Sequence, residues 1–488
     1  MQNQFNKTAS EVLLPMPKRV IDREGAFRIH QTTSIASDPL FCEVADLAAQ
    51  LLDCKRGGED ILFKLNDQLE QESYLLSVSK KQIVITASDS CGAFRGFSTL
   101  RRLALTMDNL ISCCTIEDSA DFTWRGFMID SSRHYFSIDF IKKIIDIASL
   151  FHLNRFHWHL TDDQGWRIPS KKWPKLQTIS ARRREIQYMN NTYYGRIYTR
   201  EEILEVQKYA HQRHMLVIPE FDTPGHVSAL LAAYPEFGCT SGPYEVQGRW
   251  GIFDEVLCAG NENTLTLLNS IIEEIAELFT DPYIHIGGDE CPHTAWDHCP
   301  KCQEKMKQLG LTESRQLQSY LTKEVSRMVQ KVGKRPIGWD EVLEGTETLS
   351  LPENLIVMSW RGTEGGLEAS KRGHEVIMCP NTEGCYFDYK HIDSEEEIGN
   401  LGVSTLKQVA SFNPWPPQME KPLGAQANLW SEKVTSSRLA EYLLMPRLML
   451  FAERLWNPQN PQDSLRKLPI LHHLCDRLQV LCYRGPIE

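Results

Sequence analysis

Residues 283–290 have the sequence Tyr283-Ile284-His285-Ile286-Gly287-Gly288-Asp289-Glu290, in which an apolar stretch precedes two glycines and two adjacent carboxylates. Neighbouring residues on a strand point to opposite faces, so two carboxylates that share a pocket need a strand end or a bend, which glycine permits. Paired acids in this position indicate acid–base chemistry on an uncharged substrate, typically a glycoside. A helix N-terminus, whose dipole favours acidic residues, explains the same stretch equally well.

The pattern of apolar strand, polar loop and amphipathic helix recurs from about residue 120 onward. Eight candidate strands lie at 126–129, 155–159, 216–221, 283–286, 336–338, 355–359, 375–378 and 425–429. Eight strand–helix units predict an α/β protein built as a (β/α)₈ or TIM barrel. A doubly wound open sheet is the runner-up; it more often has a glycine-rich phosphate loop after its first strand, whereas Gly126 stands alone.

The residues before about 118 have a different character. Strand-length apolar stretches at 73–78 and 82–87 flank a polar turn, and 92–107 shows the apolar spacing of an amphipathic helix. We therefore predict a small α+β domain over 1–118, the barrel over 119–456, and a helical extension over 457–488, with one helix at 463–481 packed on the barrel.

The composition limits the class of partner. The chain has 488 residues, 42% hydrophobic and 24% charged, as in ordinary soluble globular proteins. Its formal net charge of −11 argues against nucleic acid or an anionic membrane as a main partner. No stretch approaches the roughly 20 apolar residues of a membrane span. Residues 1–9 are polar and lack the apolar core of a signal peptide, which predicts a cytoplasmic protein if this N-terminus is native and a secreted or periplasmic one if a leader was removed.

Fourteen cysteines are scattered without a repeated spacing, and without a leader reduced thiols are the favoured interpretation. Residues 299–302 form a CxxC pattern with Cys291, His293 and His298 nearby. One CxxC with loosely spaced histidines is a weak zinc signal. A plain thiol-containing loop is therefore favoured over a structural metal, and neither a metal nor a cofactor is expected.

Two long insertions interrupt the strand–helix pattern. One spans 161–198 and is rich in Trp, Tyr and Arg, and the other spans 228–262. Loops on the C-terminal face of such a barrel build its active site, and aromatic side chains there suit the apolar faces of sugar rings. For Trp166 and Trp250 individually, ordinary loop packing is at least as good an explanation.

Polar and aromatic residues follow all eight predicted strands, where a barrel directs them into one shared mouth. In chain order they are Asp130 and Arg133, Asp162 and Asp163, Asp222 and His226, Asp289 and Glu290, Trp339, Asp340 and Glu341, Trp360 and Arg361, Tyr386 and Asp388, and Trp430 and Glu432. Any one of them could be a cap or a packing residue. Together they predict a wide pocket of carboxylates and indoles, which fits a neutral polyhydroxylated ligand.

The chain resembles glycoside hydrolase family 20, the exo-β-N-acetylhexosaminidases, from about residue 120 to 455. The matching motifs lie at 124–135, 156–163, 219–226, 285–290, 338–340, 386–388 and 428–432. Residues 1–118 resemble the accessory α+β domain of that family. The ordered set of motifs is specific, although its single pieces are not.

The resemblance implies a retaining, substrate-assisted mechanism in which the 2-acetamido oxygen of the substrate attacks the anomeric carbon and forms an oxazolinium intermediate. Glu290 would be the general acid and then the base that activates water. Asp289 would hold the acetamido N–H and stabilise the developing positive charge. Tyr386 would donate to the acetamido oxygen.

The remaining matched residues are expected to bind the sugar. Trp339, Trp360 and Trp430 would wall the N-acetyl methyl group. Arg133, Asp388 and Glu432 would bind hydroxyls at the closed end of the pocket, and Asp162 and His226 would form a supporting pair for Glu290. The implied partner is a glycan with a terminal β-linked GlcNAc or GalNAc, and a homodimer is one open possibility.

Three alternatives remain open from the sequence. A sugar-binding protein on the same fold would keep the tryptophans and lose the acids, which are present here. A related enzyme, such as a lacto-N-biosidase, a transglycosylase, or an enzyme for a sulfated or β-1,6-linked substrate, would differ in its loops. A metal-dependent hydrolase would use His157 and His159, which share one face of a strand.

Overall fold

The computed structural model describes residues 7–184 and 192–488, and its centre is a closed barrel of eight parallel strands. Each strand pairs with the next along the chain, and the eighth pairs with the first. The strands are Trp124–Asp130, Arg155–His159, Leu216–Thr223, Tyr283–Gly287, Arg335–Trp339, Ile356–Ser359, Val376–Met378 and Gly424–Leu429. The predicted TIM barrel is confirmed, and the open sheet is excluded.

Amphipathic helices surround the barrel. They are Ile138–Leu150, Arg200–His211, Glu262–Leu278, Gln316–Lys331, Glu364–Lys371, Leu406–Ser411, Ser437–Leu444 and Arg447–Trp456. The helix Arg200–His211 begins with a capping box, in which the side chains of Thr199 and Glu202 accept hydrogen bonds from each other's backbone N–H groups. The apolar spacing of residues 439–455 predicts a single helix, and this prediction is wrong. The chain forms two helices that meet at Pro446, because proline has no N–H to continue the first.

The loops at the barrel mouth contain short paired segments and helices. The pairs are Thr161–Asp162 with Gly165–Trp166, Arg183–Arg184 with Tyr193–Tyr194, and Tyr389–Lys390 with Asn400–Val403. The helices are Ser228–Ala233, Thr294–His298 and Pro300–Leu309, with a short 3₁₀ turn at Asp340–Leu343. Residues 185–191 of the first insertion and residues 1–6 of the polar N-terminal segment lie outside the described residues.

The N-terminal domain is a seven-stranded mixed sheet covered by helices, so the predicted α+β fold is confirmed. In spatial order its strands are Arg19–Arg28, Leu110–Asp118, Tyr74–Val78, Ile83–Ala87, Ile61–Leu65, Ser34–Ser37 and Lys55–Arg56. The helices Cys42–Leu52 and Ser90–Thr106 pack into a core separate from that of the barrel, to which the second helix contributes Phe94, Phe97 and Leu100. A short helix, Ala9–Val12, packs at the sheet edge.

The C-terminal residues pack on the barrel and the N-terminal domain as two short helices, Pro461–Arg466 and Leu468–Arg477. The single helix predicted over 463–481 is therefore wrong, because Pro469 in the first turn of the second helix cannot donate a continuing hydrogen bond. Within the described ranges, no helix combines the length and apolar character that a membrane crossing requires. The exact domain limits stay a prediction.

A buried ion cluster joins the N-terminal domain to the barrel. The carboxylate of Glu72 bonds to the guanidinium of Arg95, at 2.9 Å from Nε, and to that of Arg125, which lies on the first barrel strand. Both arginine side chains are fully buried. Burial opposes the charge of Glu72, but Arg125 and Arg95 outweigh it and hold the pKa of Glu72 below its usual value.

We expect Glu72→Ala to reduce the free energy of unfolding by about 3–5 kcal/mol at neutral pH, because two buried guanidinium groups lose their counter-charge. Because the pKa is lowered in the folded state, this stabilisation is present above the unfolded-state pKa of about 4.3 and is lost as the pH falls below it. Urea unfolding at pH 7 and pH 3 measures both effects.

The matched control is Glu117→Ala, which removes an ion pair with Arg19 whose two side chains are largely exposed. It should cost no more than about 1 kcal/mol. Equal losses in the two variants would contradict a special role for the buried cluster.

Candidate active site

Two glycines let the fourth barrel strand end in a bend. Gly287 and Gly288 have φ angles of +70° and +101°. A Cβ atom on Gly287 would lie 1.7 Å from Asp222 Oδ1, and one on Gly288 would lie 2.6 Å from Val342 Cγ1. Only glycine fits either position, and the bend brings the side chains of both Asp289 and Glu290 to one cavity.

This cavity of about 180 Å³ lies at the C-terminal ends of the strands. Its lining contains most of the site residues expected from the sequence: Arg133, Asp289, Glu290, Trp339, Trp360, Tyr386, Asp388, Trp430 and Glu432. Asp162 and His226, also expected, stand behind the lining and contact it. The residues predicted from the strand ends therefore lie together at one cavity, while the role of each residue stays a prediction.

A larger cavity, of about 680 Å³, lies between the helices Cys42–Leu52 and Arg200–His211 on the outer side of the barrel. It is remote from the strand ends, and it is lined mainly by side chains of helix surfaces. The smaller cavity is the candidate site because its lining carries the convergent acids and indoles.

One wall of the smaller cavity is a cluster of buried charged groups. Arg133 lies 2.6 Å from Asp162 and 3.7 Å from Glu432, and these carboxylates outweigh burial to raise its pKa well above the usual value. Burial, assisted by the charge of Glu432, raises the pKa of Asp388 to about 8. Within the described part of the chain, Glu432 Oε2 is buried and has no hydrogen-bond partner. This wall offers donors and acceptors to ligand hydroxyls.

Indole rings form a second wall, and buried carboxyl groups fix two of them. Trp339 Nε1 donates to Glu220 at 2.8 Å, and Trp360 Nε1 donates to Glu341 at 2.9 Å. Tyr386 stacks on Trp360 with ring centroids 6.2 Å apart. The rings form an apolar corner beside the carboxylates.

His226 links the two strand-end acids to a second pair of acids. Its Nδ1 lies 3.1 Å from Asp163 Oδ2, and its Nε2 lies 3.7 Å from Asp289 and 3.6 Å from Glu290. Burial opposes a charge on His226, but Asp162 and its neighbours outweigh it and raise the pKa well above the usual value. A protonated His226 therefore faces both carboxyl groups.

Asp289 is the buried member of the acid pair. Burial raises its pKa to about 6, His226 opposes the rise, and the charges of Glu220 and Glu290 add to it. Its Oδ1 is buried without a hydrogen-bond partner among the described residues. Such an oxygen can accept a hydrogen bond from an N–H group of a ligand.

The histidines of the metal-dependent alternative contact carboxylates directly. His157 Nε2 lies 3.0 Å from Glu220, and His159 Nε2 lies 2.8 Å from Asp162. These contacts are shorter than the roughly 3.4 Å between nitrogen and oxygen ligands of a tetrahedral zinc ion. The geometry favours histidines that support the site through direct contacts with these carboxylates.

The sequence analysis missed several residues of the site. The predicted motifs and strand ends include Asp163, Glu220 and Glu341 but assign them no role. Asn400 and Leu401 reach the cavity on a loop, and the sequence of this loop shows no periodic apolar pattern that would predict its position. Trp166 is buried and donates to its own loop at Ile168 O, and Trp250 packs on His134, so neither lines the cavity.

Comparison with known proteins identifies the family. A model of the glycosyl hydrolase family 20 catalytic domain matches residues 122–459, and a model of domain 2 of that family matches residues 11–119. The chain belongs to glycosyl hydrolase family 20. The resemblance expected from the sequence is thereby confirmed, and the family is one of glycosyl hydrolases.

Relatives of the family 20 chain carry consistent names. It is 36% identical to a β-hexosaminidase of Porphyromonas gingivalis over 96% of its own length and 63% of that protein's length, so it spans less than two thirds of this relative. It is 32% identical to a β-hexosaminidase of Vibrio furnissii, covering 90% of the chain and 76% of the relative. A Vibrio harveyi exo-β-N-acetylglucosaminidase, solved with N-acetylglucosamine, superposes with a TM-score of 0.89 at 30% identity, covering 98% of this chain and 79% of that one.

Glu341 yields a prediction about the indole wall. Burial, with the charges of Asp289 and Asp340, raises the pKa of Glu341 to about 9, so the group is neutral at pH 7. Glu341→Gln should therefore leave kcat/KM for p-nitrophenyl β-N-acetylglucosaminide nearly unchanged. Glu341→Ala should lower it about fivefold, since Trp360 loses a hydrogen bond worth about 1 kcal/mol. A large loss in the Gln variant would contradict a neutral Glu341.

Proposed function

We propose that the chain is a retaining exo-β-N-acetylhexosaminidase that removes terminal, non-reducing β-linked GlcNAc or GalNAc by substrate-assisted catalysis. The observation that supports this most directly is the arrangement of Asp289 and Glu290, side by side, against an apolar corner of indoles and Tyr386. The cavity joins that corner to a wall of hydroxyl-binding groups. A 2-acetamido sugar has the matching parts: an apolar methyl, an amide and several hydroxyls.

In the first step, Glu290 protonates the glycosidic oxygen as the bond from that oxygen to the anomeric carbon breaks. The acetamido oxygen attacks the same carbon and closes the oxazolinium ring. Asp289 accepts a hydrogen bond from the acetamido N–H, and its negative charge stabilises the positive charge that develops on the ring. Tyr386 donates its hydroxyl to the acetamido oxygen and orients it.

In the second step, Glu290, now ionised, removes a proton from water, and that water attacks the anomeric carbon from the face that the aglycone left. The oxazolinium ring opens and the acetamido group is restored. Two inversions at one carbon give net retention. His226, which faces both carboxyl groups and is held by Asp163, stabilises the negative charge that passes to Glu290.

The indole rings bring the reacting groups of the substrate close together. By enclosing the methyl group, Trp339, Trp360 and Trp430 hold the acetamido oxygen near the anomeric carbon, which converts the attack into an intramolecular reaction of high effective concentration. Exclusion of water by the same rings strengthens the interaction of Asp289 with the ring charge. A sugar without the acetamido group lacks both the nucleophile and the contact.

The proposal is tested by release of p-nitrophenol from the β-N-acetylglucosaminide beside the plain β-glucoside, with a thiazoline that mimics the oxazolinium ion as inhibitor. We expect activity on the acetamido sugar alone and its inhibition by the thiazoline. Equal activity on both sugars would contradict substrate assistance. Lack of activity together with lack of thiazoline binding would overturn the proposed function.

Asp289 gives the proposed mechanism a pH signature. Only the ionised carboxylate stabilises the positive charge that develops on the oxazolinium ring, and the pKa of Asp289 is raised to about 6. The value of kcat/KM should therefore fall as the pH drops below about 6, and Asp289→Asn should lose this acid limb. We also expect Asp289→Asn to lower kcat about 10²-fold or more, with a smaller effect on KM, because its stabilisation is mainly of the transition state.

The neighbouring variant Glu290→Gln serves as the comparison. It should lose most activity on substrates with poor leaving groups and much less on activated aryl glycosides, which need little protonation. Unchanged kcat in Asp289→Asn, or an equal loss on both substrate types in Glu290→Gln, would count against the assigned roles.

A further inference from the structure

Four cysteines converge at one point in the loops next to the candidate active site. Three of them, Cys258, Cys299 and Cys302, are buried, and Cys239 is half-buried. The Sγ atom of Cys258 lies 3.7 Å from those of both Cys299 and Cys302, and the Sγ atom of Cys239 lies 3.9 Å from that of Cys302. All four sulfur atoms lie within 4.8 Å of one another.

These distances match a metal-binding tetrahedron and do not match disulfides. Four thiolates at about 2.3 Å from a zinc ion are separated from one another by about 3.8 Å. A disulfide requires a sulfur–sulfur distance of about 2.05 Å. We propose that Cys239, Cys258, Cys299 and Cys302 bind one structural Zn²⁺ ion.

The sequence showed only half of this set. The CxxC pair was visible, but the neighbouring residues considered with it, Cys291, His293 and His298, are not the ones that complete the cluster. The second pair, Cys239 and Cys258, comes from the insertion at 228–262. The favoured plain thiol loop is replaced here by a four-cysteine site.

Backbone contacts position the second pair. The 3₁₀ turn Pro235–Phe237 leads directly into an antiparallel bridge between Gly238 and Leu257. Cys258 N donates to Phe237 O at 2.8 Å. The bridge thus holds Cys239 and Cys258 on adjacent loop segments, with the sulfur atoms close to those of Cys299 and Cys302.

The helix supplies the first pair. Cys299 directly precedes Pro300–Leu309, and Cys302 lies in its first turn. The positive end of the helix dipole favours an anionic group, such as a metal-bound thiolate, at this position. Gly260 allows the close approach, since a Cβ atom there would lie 2.1 Å from the carbonyl carbon of Lys301 and 2.4 Å from Cys302 N.

The ligand chemistry selects the metal and its role. Four thiolates without a carboxylate or water position form a closed set, as in structural zinc sites, whereas catalytic zinc keeps an open position. Soft thiolate ligands select zinc over magnesium or calcium. The site therefore serves structure and takes no part in the hydrolysis.

The two loops that the ion would join are those that follow the third and fourth barrel strands. Leu257 N donates to Pro224 O at 3.1 Å, next to the segment that leads to His226. Trp296 Nε1 donates to Leu257 O at 2.9 Å, which ties the loop after Glu290 to the same bridge. A zinc ion at this point, outside the cavity, would fix the positions of His226 and Glu290 relative to each other.

The test is the zinc content of the full-length protein, purified with zinc in the growth medium and then desalted, measured by inductively coupled plasma mass spectrometry. We expect one zinc ion per chain in the wild type, because four thiolates fill one tetrahedral ion. Cys302→Ser should lose most of it. The control Cys475→Ser, which removes another buried cysteine, should keep it.

A second measurement does not depend on the folding of a variant. Titration of the wild type with a thiol-reactive mercurial, in the presence of a chromophoric chelator, should release one zinc ion per chain, and Co²⁺-loaded protein should show the intense visible absorption of tetrahedral thiolate cobalt. The proposal would be overturned if the wild-type protein contained no zinc or contained iron in its place. It would also be overturned if the intact mass were lower by the four hydrogens that two disulfides lose. None of these readouts depends on glycosidase activity.

Discussion

The negative charge of Glu220, fully buried at the centre of the barrel, is the constraint on which the site depends. A buried carboxylate persists only where donors surround it. Here those are His159 and the indole N–H of Trp339, and the rings of His157 and His285 also lie 3.0 Å from the carboxylate. Because the ring of Trp339 is bound to this charge, one wall of the cavity is oriented from inside the barrel before any ligand arrives.

Charge in the rest of the site is divided into two groups. Asp162, between Arg133 and His226, is held ionised because these cations outweigh the effect of its burial, and its pKa is lowered. Asp388 and Glu341 have pKa values raised mainly by burial, so they remain largely neutral near pH 7 and can donate as well as accept. A site rich in carboxyl groups therefore presents few negative charges to its ligand. This balance suits an uncharged sugar and explains how so many acids share a small volume.

The sequence predicted the barrel well because parallel strands buried on both faces are continuous apolar runs, and all eight were found within two residues at each end. The polar and aromatic residues that follow the predicted strands then included most of the residues that line the cavity. Periodicity failed where its pattern crosses a proline, as at Pro446, since the apolar spacing continues although the hydrogen bonding does not. It also failed in long loops: the approach of Cys239 to Cys302, or of Asn400 to the cavity, depends on chain paths that no local repeat encodes.

The lining of the cavity is buried on one side and exposed on the other. Arg133 and Asp388 are almost inaccessible, whereas Leu401 is 91% exposed and the side chain of Glu290 is 34% exposed. In the proposed function, a sugar enters from the exposed side and leaves by the same path before the next can follow. An enzyme with such a pocket would act only at the ends of a polymer. At equal mass, a sample of short chains therefore offers more reactive sites than one of long chains, and each branch adds one more site.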